Sequence, residues 1–430
     1  MNAFIRPSDY RFLFSFASPL TAFAFPWLIA IAGQQAQLSG IVQKGWSSFH
    51  TLILANMASF LLLAFLLQSC RPLKLDIGII RKQLTISAHF IRIVKCLALC
   101  FIAMELVQIA YSKGFPLLWL LVKSKKTYVD FGIPSINGLL NAVYLFITTA
   151  FYLIYQRTEK KSDLCLWLLL LTVPIFLISR QLLMTIFLQV TCCMLICHAK
   201  ALRTLFFSSA ALLTLFIWIG NYRTGIGALA KILEPVAWLP KWSYPLLWIY
   251  AYMVTPLNNM HANIDHIRPL MAPLYELNTF LPTAIRRLII DQGALQGTQF
   301  TLVHENMTVS SFYLEPILDY GQVYAFLLMA AFQLFTLFTL RQAIKSCSPR
   351  DLILYSVCYG VMTLSIFGNL LLYQPVIFQI VLLSLSRLQF VKSSWKRFSP
   401  FRKSVSNNLF SSYQNSFWKF IKTSYKYFSD

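Results

Sequence analysis

Negative charge is scarce in this chain: 15 Asp and Glu stand against 37 Lys and Arg in 430 residues. All four charged types together make only 12% of the sequence, where a soluble domain carries about 25%. That excludes a water-soluble globule, whose surface needs more charge than this. Other absences narrow the chemistry. No DxD sequence is present to bridge a nucleotide-sugar phosphate through a divalent cation, and no GxSxG, P-loop or strand-to-helix GxGxxG occurs. His304–Glu305 opens HENMT, which lacks the second histidine of a zincin. The nine cysteines lie in or beside hydrophobic stretches, so neither a disulfide framework nor a paired CxxC metal site is expected. The sequence thus leads to no metal and no cofactor.

What is abundant is apolar: 57% of the residues are hydrophobic. They collect in blocks of about 17–22 residues, the length that carries a helix across a ~30 Å hydrocarbon core. Unbroken runs exclude a membrane barrel, whose strands alternate apolar and polar residues. The first block, Phe12–Gly33, is too long for a signal-peptide core and no small-residue cleavage site follows it, so it reads as a helix. Spans are expected near 12–33, 49–69, 93–112, 136–156, 164–179, 181–198, 204–219, 322–340, 352–371 and 374–391. The fold class is therefore an all-α polytopic membrane protein with about ten transmembrane helices and one large outside loop.

Charge sets the orientation. With the N-terminus inside, 25 of the 37 Lys and Arg fall on inside segments or in the tail, from Arg6 and Arg11 through Lys161 and Lys345 to Lys426. That asymmetry is a topology signal, with a basic tail beside anionic headgroups, and it argues against nucleic acid as a partner. The domain plan is spans one to seven in 1–219, a large loop in 220–321, spans eight to ten in 322–391, and a basic cytoplasmic tail in 392–430. Within the loop, Ser243–Leu257 is apolar and carries two prolines. As a helix it would reach only about 22 Å, and if it crossed, every later basic segment would be inverted. It is expected to be interfacial or re-entrant.

The chemistry gathers in the outside loops. Arginine is the informative type there, because its planar fork grips phosphate oxygens in pairs and stays charged when partly desolvated. Arg180 sits in the tight turn LISRQLL with almost no polar company, where a charge is costly and is a functional candidate. Arg223 lies in GNYRTG, where Gly220 and Gly225 free the backbone to turn. Glu315 and Asp319 are four apart and share a helix face if that stretch is helical, which would let a carboxylate serve as a base. His261 belongs to the same outside set.

Four segments then carry a resemblance. Tyr128–Ala142 (YVDFGIPSINGLLNA), Ile219–Gly225 (IGNYRTG), Trp248–Met260 (WIYAYMVTPLNNM) and Asn306–Phe326 (NMTVSSFYLEPILDYGQVYAF) resemble, in that order, stretches of the Wzy-type O-antigen and oligosaccharide repeat unit polymerases. Asn137, Ser135 and Tyr324 depart from the pattern, while Arg286…Gly297 fits an Arg-x10-Gly spacing described for some relatives. The resemblance implies a bacterial inner (cytoplasmic) membrane enzyme with both termini cytoplasmic and a periplasmic large loop. It implies transfer of a growing glycan from undecaprenyl pyrophosphate to the terminal sugar of a lipid-linked repeat unit, with a chain-length regulator and a flippase as partners. Under it, Arg180, Arg223 and Arg286 would hold pyrophosphate, and Asp319 or His261 would be the catalytic base. A lipid-linked oligosaccharide flippase and an O-antigen ligase are the alternatives. Nearly charge-free spans, with Glu105 the main exception, favour an enzyme over a transporter.

Overall fold

Serines and prolines decide where several helices begin. Ser18 accepts the backbone N–H of Leu20 at 3.2 Å, and Pro19, which has no N–H to waste, opens the first helix. Ser348 and Pro349 repeat the device far down the chain, with Ser348 accepting from Asp351. Ser87 caps through Phe90 at 3.1 Å. The computed structural model describes residues 13–70, 80, 83–197, 201–224, 226–290, 295, 300–305 and 307–384. The expected tail at 392–430, the N-terminal Arg6 and Arg11, Gly225 and Gly297 lie outside the described residues.

Among the described residues the helices, in chain order, are α1 (Pro19–Gln35), α2 (Ser48–Cys70), α3 (Ala88–Ser112), α4 (Pro116–Leu121), α5 (Ile136–Thr158), α6 (Lys161–Phe176), α7 (Arg180–Cys197), α8 (Ala201–Thr224), α9 (Ile226–Leu233), α10 (Leu247–Asn263), α11 (Leu274–Phe280), α12 (Thr283–Ile289), α13 (Leu314–Ser346), α14 (Pro349–Leu364) and α15 (Gln374–Ser384). Among the described residues no strand forms, and a lone antiparallel bridge joins Ser39 to Pro235. A helix underlies each span read from the sequence. Among the described residues five helices are long and apolar enough to cross a membrane: α2, α5, α7, α8 over Arg203–Tyr222, and α13. Burial sorts them, since 72% of the apolar window of α5 is covered by protein but only 12% of that of α8. So α5 is an inner helix, and α8 shows side chains such as Phe206 and Phe207 to its surroundings. The residues through Ile380 form one compact unit, and Val381 begins a second.

The core is apolar but pinned by polar contacts, as suits helices with little hydrophobic drive between them. Gln189 of α7 and Gln379 of α15 exchange amide hydrogen bonds at 3.0 and 3.1 Å, and Thr149 of α5 donates to Gln189. Tyr355 of α14 donates to the Ala17 carbonyl, and Trp27 of α1 donates to Ser365 at the far end of α14. These two contacts make α1 and α14 run parallel.

All connections that follow α1, α3, α6, α8 and α14 gather at one end. Gln43 meets Asn258, Phe115 packs on Phe176, Phe312 N–H donates to Ser365 O, and Gln374 donates to Leu281 O. At the other end Lys95 pairs with Asp163 at 3.1 Å. The segment expected to be interfacial forms a 3-10 turn over Lys241–Leu246 and then α10, which runs on to Asn263. Its extra turns carry three buried asparagines that act as backbone clamps. Asn259 donates to the carbonyls of Met307 and Val309 and accepts from Val303 N–H; Asn263 does the same for Thr301; Asn258 holds Ile41 and Gln43. Asn259→Leu would leave three peptide groups without partners at a fully buried site. At about 1–3 kcal/mol for each unsatisfied group, thermal unfolding in detergent should shift strongly downward. An unchanged transition would show the clamps to be dispensable.

Helix α13 begins at Leu314, earlier than the expected span, and is broken rather than started at Gly321 (φ 86°, ψ −179°). That backbone is accessible essentially to glycine alone. A Cβ there would also stand 3.2 Å from Pro269 Cγ. The short piece 314–320 therefore sits apart from the apolar run after Gly321 and belongs to the loop-rich end.

Candidate functional site

The hairpin between α6 and α7 presents Arg180. Ile178 adopts a left-handed φ of 50°, and Ser179 caps α7 through Leu182 N–H, so Arg180 is the first residue of the new helix. Its guanidinium carbon lies 4.9 Å from the Trp248 ring centre and 5.6 Å from that of Tyr252, and its Nη1 donates to the Tyr252 hydroxyl at 3.0 Å. Two rings of α10, one helical turn apart, thus hold a partly buried cation in place. Trp248 turns its Nε1 to Asn221 Oδ1 at 3.1 Å. A Cβ on Gly220 would come within 2.8 Å of the indole. Gly220 was expected to free a turn. It is instead helical, since α8 continues to Thr224, and its missing side chain admits Trp248. Arg223 occupies the last turn of α8, and its side chain lies outside the described residues. One tryptophan therefore joins the Arg180 hairpin to the helix end that carries Arg223.

A second cluster forms where the 314–320 piece meets α11. Asp319 Oδ1 accepts Tyr275 N–H and Oδ2 accepts Glu276 N–H, both at 2.9 Å. Leu270 and Met271 add backbone bonds to the carbonyls of Leu318 and Asp319. Asp319 is thus the N-terminal cap of α11, supplied from a distant part of the chain. Burial raises its pKa, against the pull of the Glu276, Tyr275 and Leu274 N–H groups. With both oxygens engaged, it is a clamp first. Tyr324 donates to Glu276 Oε2 at 3.1 Å, and burial together with the Asp319 charge raises Glu276. Glu315 has an Oε2 buried without a hydrogen-bond partner. Burial, then the charges of Glu276 and Asp319, push its carboxyl up to about 7. Of the three, Glu315 has a buried oxygen left without a hydrogen bond and a proton affinity suited to transfer near neutral pH.

His261 lies elsewhere, in a chain that spans three helices. Ser47 N–H donates to His50 Nδ1, His50 Nε2 faces Gln34 Oε1 at 2.7 Å, and Gln34 Nε2 faces His261 Nδ1 at 2.9 Å. The amide assigns the tautomers: Nδ1 of His261 accepts, so its proton sits on Nε2. Burial lowers the His261 pKa, opposed by Asp265. The neutral ring therefore offers a donor, and its basic nitrogen is already taken. His261 also lies nine residues, about 13–14 Å, along α10 from the Tyr252 that holds Arg180.

Arg286, on α12, donates to the Asn278 carbonyl at 3.3 Å, within the segment that carries the acid cluster. The structure thus places Arg180 with the α8 end, Asp319 with Arg286 on the α11–α12 segment, and His261 apart from both. The α14–α15 turn touches the first two groups: Phe367 packs on Tyr252 at 6.2 Å, and Gln374 reaches Leu281 between α11 and α12. Trp248 and Tyr252 belong to the aromatic block seen in the sequence, but their role as a cation clamp had no local signal. Glu315 did carry one, its spacing from Asp319. Beside the Arg180 hairpin an apolar groove of about 780 Å³ runs between α5, α6, α7 and α8, with Ile175 and Leu183 at the hairpin and Thr204 and Ser208 on α8. Among the described residues no three His, Cys, Asp or Glu gather as a metal-binding group. No family model, curated protein or solved structure matches the chain.

Proposed function

We propose that the protein is a membrane glycosyltransferase that joins lipid-pyrophosphate-linked oligosaccharide repeat units into a longer glycan at the periplasmic face of a bacterial inner membrane. The observation that carries the reading is Arg180: a cation fixed by two aromatic rings at the loop-rich end, three residues before Leu183, which lines an apolar groove. A lipid pyrophosphate suits that combination, an anion grip with an apolar groove nearby. The topology follows the basic-residue asymmetry, with about ten crossings, cytoplasmic termini and the 220–321 loop outside. The parallel course of α1 and α14 supports it, because a crossing by α10 would have reversed α14.

In the reaction the acceptor sugar hydroxyl attacks the anomeric carbon of the donor glycan. The bond to the pyrophosphate oxygen breaks, and the leaving lipid pyrophosphate keeps the electron pair. Arg180 stabilises that anion, with Arg223 on the last turn of α8 and Arg286 on the α11–α12 segment as the further arginines of the scheme. The hydroxyl proton passes to a carboxylate of the acid cluster. Glu315 is the base in this scheme, and Asp319 holds the segment on which the cluster is built.

Deletion of the gene is expected to leave single repeat units displayed at the cell surface with no ladder of longer chains, read on a surface-glycan gel. Loss of all surface units would identify a flippase instead, and long chains stranded on the lipid carrier would identify a ligase.

A further inference from the structure

A second cavity lies beside the Arg180 hairpin. Helix α4 ends in a turn with Lys123 in the left-handed region (φ 51°), closed by Ser124 N–H to Trp119 O at 2.8 Å. The chain then folds back as Thr127 and Asp130 cap one another, with Asp130 Oδ2 accepting the Thr127 N–H at 2.7 Å and its hydroxyl at 3.1 Å. Between the two turns is a cavity of about 370 Å³, walled by Lys123, Ser124, Lys126, Thr127 and Tyr128, by the apolar Pro116, Trp119 and Leu120 of α4 and, from the hairpin, by Ile178.

Its chemistry is specific. Two lysines and three hydroxyl-bearing residues line it beside an apolar wall. The nearby carboxylate, Asp130, is spent on the Thr127 cap, which holds its pKa low and keeps it ionised. Lys126 Nζ donates to Ser112 O at 2.8 Å and lies 5.2 Å from the Trp119 ring centre, with further N–H donors to offer. Among the described residues no acid is within ion-pair distance of Lys123. Trp119 is only 4% exposed, so no open ring face is left to stack a nucleobase. The size suits one or two sugar rings. Since Ile178 is two residues from Arg180, the cavity and the pyrophosphate grip are neighbours.

We propose that this cavity is a saccharide subsite for an acidic sugar, one bearing a carboxylate, close to the pyrophosphate in the lipid-linked repeat unit. The inference rests on the polymerase reading and narrows its substrate class. The lysines take the acid group, and Ser124, Thr127 and Tyr128 take ring hydroxyls.

The test uses the full chain in neutral detergent and measures binding of a glucuronic-acid-containing disaccharide against its glucose counterpart, by calorimetry. The acidic sugar should bind about tenfold more tightly, as charge-assisted contacts imply. Lys123→Gln and Lys126→Gln should each erode that preference, and the pair should abolish it while the weak neutral-sugar binding persists. Equal binding of the two sugars, or a preference that survives both substitutions, overturns the subsite. Phosphatidylglycerol in the micelle is the competing arm: if it displaces the acidic sugar completely, the lysines serve headgroups and the subsite is likewise overturned. A lysine-dependent preference in a protein that fails to extend lipid-linked chains would retain the subsite and reject the polymerase reading. Extension of neutral and acidic units at equal rates, without any binding preference, would do the reverse.

Discussion

Arg180→Ala is expected to lower glycan chain extension by about 10²–10³-fold, the usual cost of removing one donor aimed at a developing anion. Arg180→Lys should recover little of it. Lysine keeps the charge but loses the planar fork, and with it the lie of the guanidinium against Trp248 and Tyr252 and the bidentate approach to phosphate. The assay is extension of a purified lipid-pyrophosphate repeat unit, with no nucleotide sugar and with chelator present. Trp248→Phe supplies an internal comparison. It keeps a ring under the guanidinium but breaks the Nε1 bond to Asn221, so it should loosen the α8 end and give an intermediate loss. Full extension by a well-expressed Arg180→Ala protein would remove this residue from the site. A requirement for a divalent cation or a nucleotide sugar would reject the mechanism as a whole.

The second large effect concerns Glu315. A base must be ionised to accept a proton, so extension should rise with pH through about 7, where burial and its acidic neighbours place this carboxyl. Glu315→Gln should cost about 10²–10⁴-fold in rate and flatten that limb. Asp319→Asn separates the roles within the cluster. It breaks one of the two N–H bonds that cap α11, so it should lower the melting temperature while leaving a rising limb near neutral pH. A limb unaltered by Glu315→Gln would exclude Glu315 as the base. Stability should move the opposite way to rate. The folded-state pKa of Glu315 is raised from 4.5, so the folded chain holds the proton more tightly, and stability falls as pH climbs from about 4.5 to 7.

The helices were legible in the sequence because bilayer-length apolar runs are a composition signal that needs no tertiary partner. Ser18–Pro19 and Ser348–Pro349 start their helices locally, although the expected spans began at 12 and 352. Where a boundary was misjudged, a polar or glycine residue had a partner far away. α10 was expected to stop near Leu257, yet Asn258, Asn259 and Asn263 continue it, because their side chains bond backbone at 41–43 and 301–309. α13 was expected to start after Gly321, which interrupts the helix without ending it. Site roles were harder to see. Asp319 reads as a free carboxylate until Tyr275 and Glu276 bring their N–H groups to it. His261 reads as a base until Gln34 takes its Nδ1.

The asparagine clamps also alter the chain statistics of the 220–321 segment. Left open, so long a connection would lose freedom only at its two ends, and closure entropy grows slowly with length. The bonds from Asn259 and Asn263 to 301–309, and from Asp319 back to 275–276, cut it into smaller closed circuits. Asn258 fastens the same helix to 41–43, a segment made much earlier in synthesis. These circuits share α10, so opening one frees the anchor of the next. Amide exchange across this end should therefore report one cooperative unit, protected together and released together. It would close only after residues 301–309 have been made and returned to a helix already waiting for them.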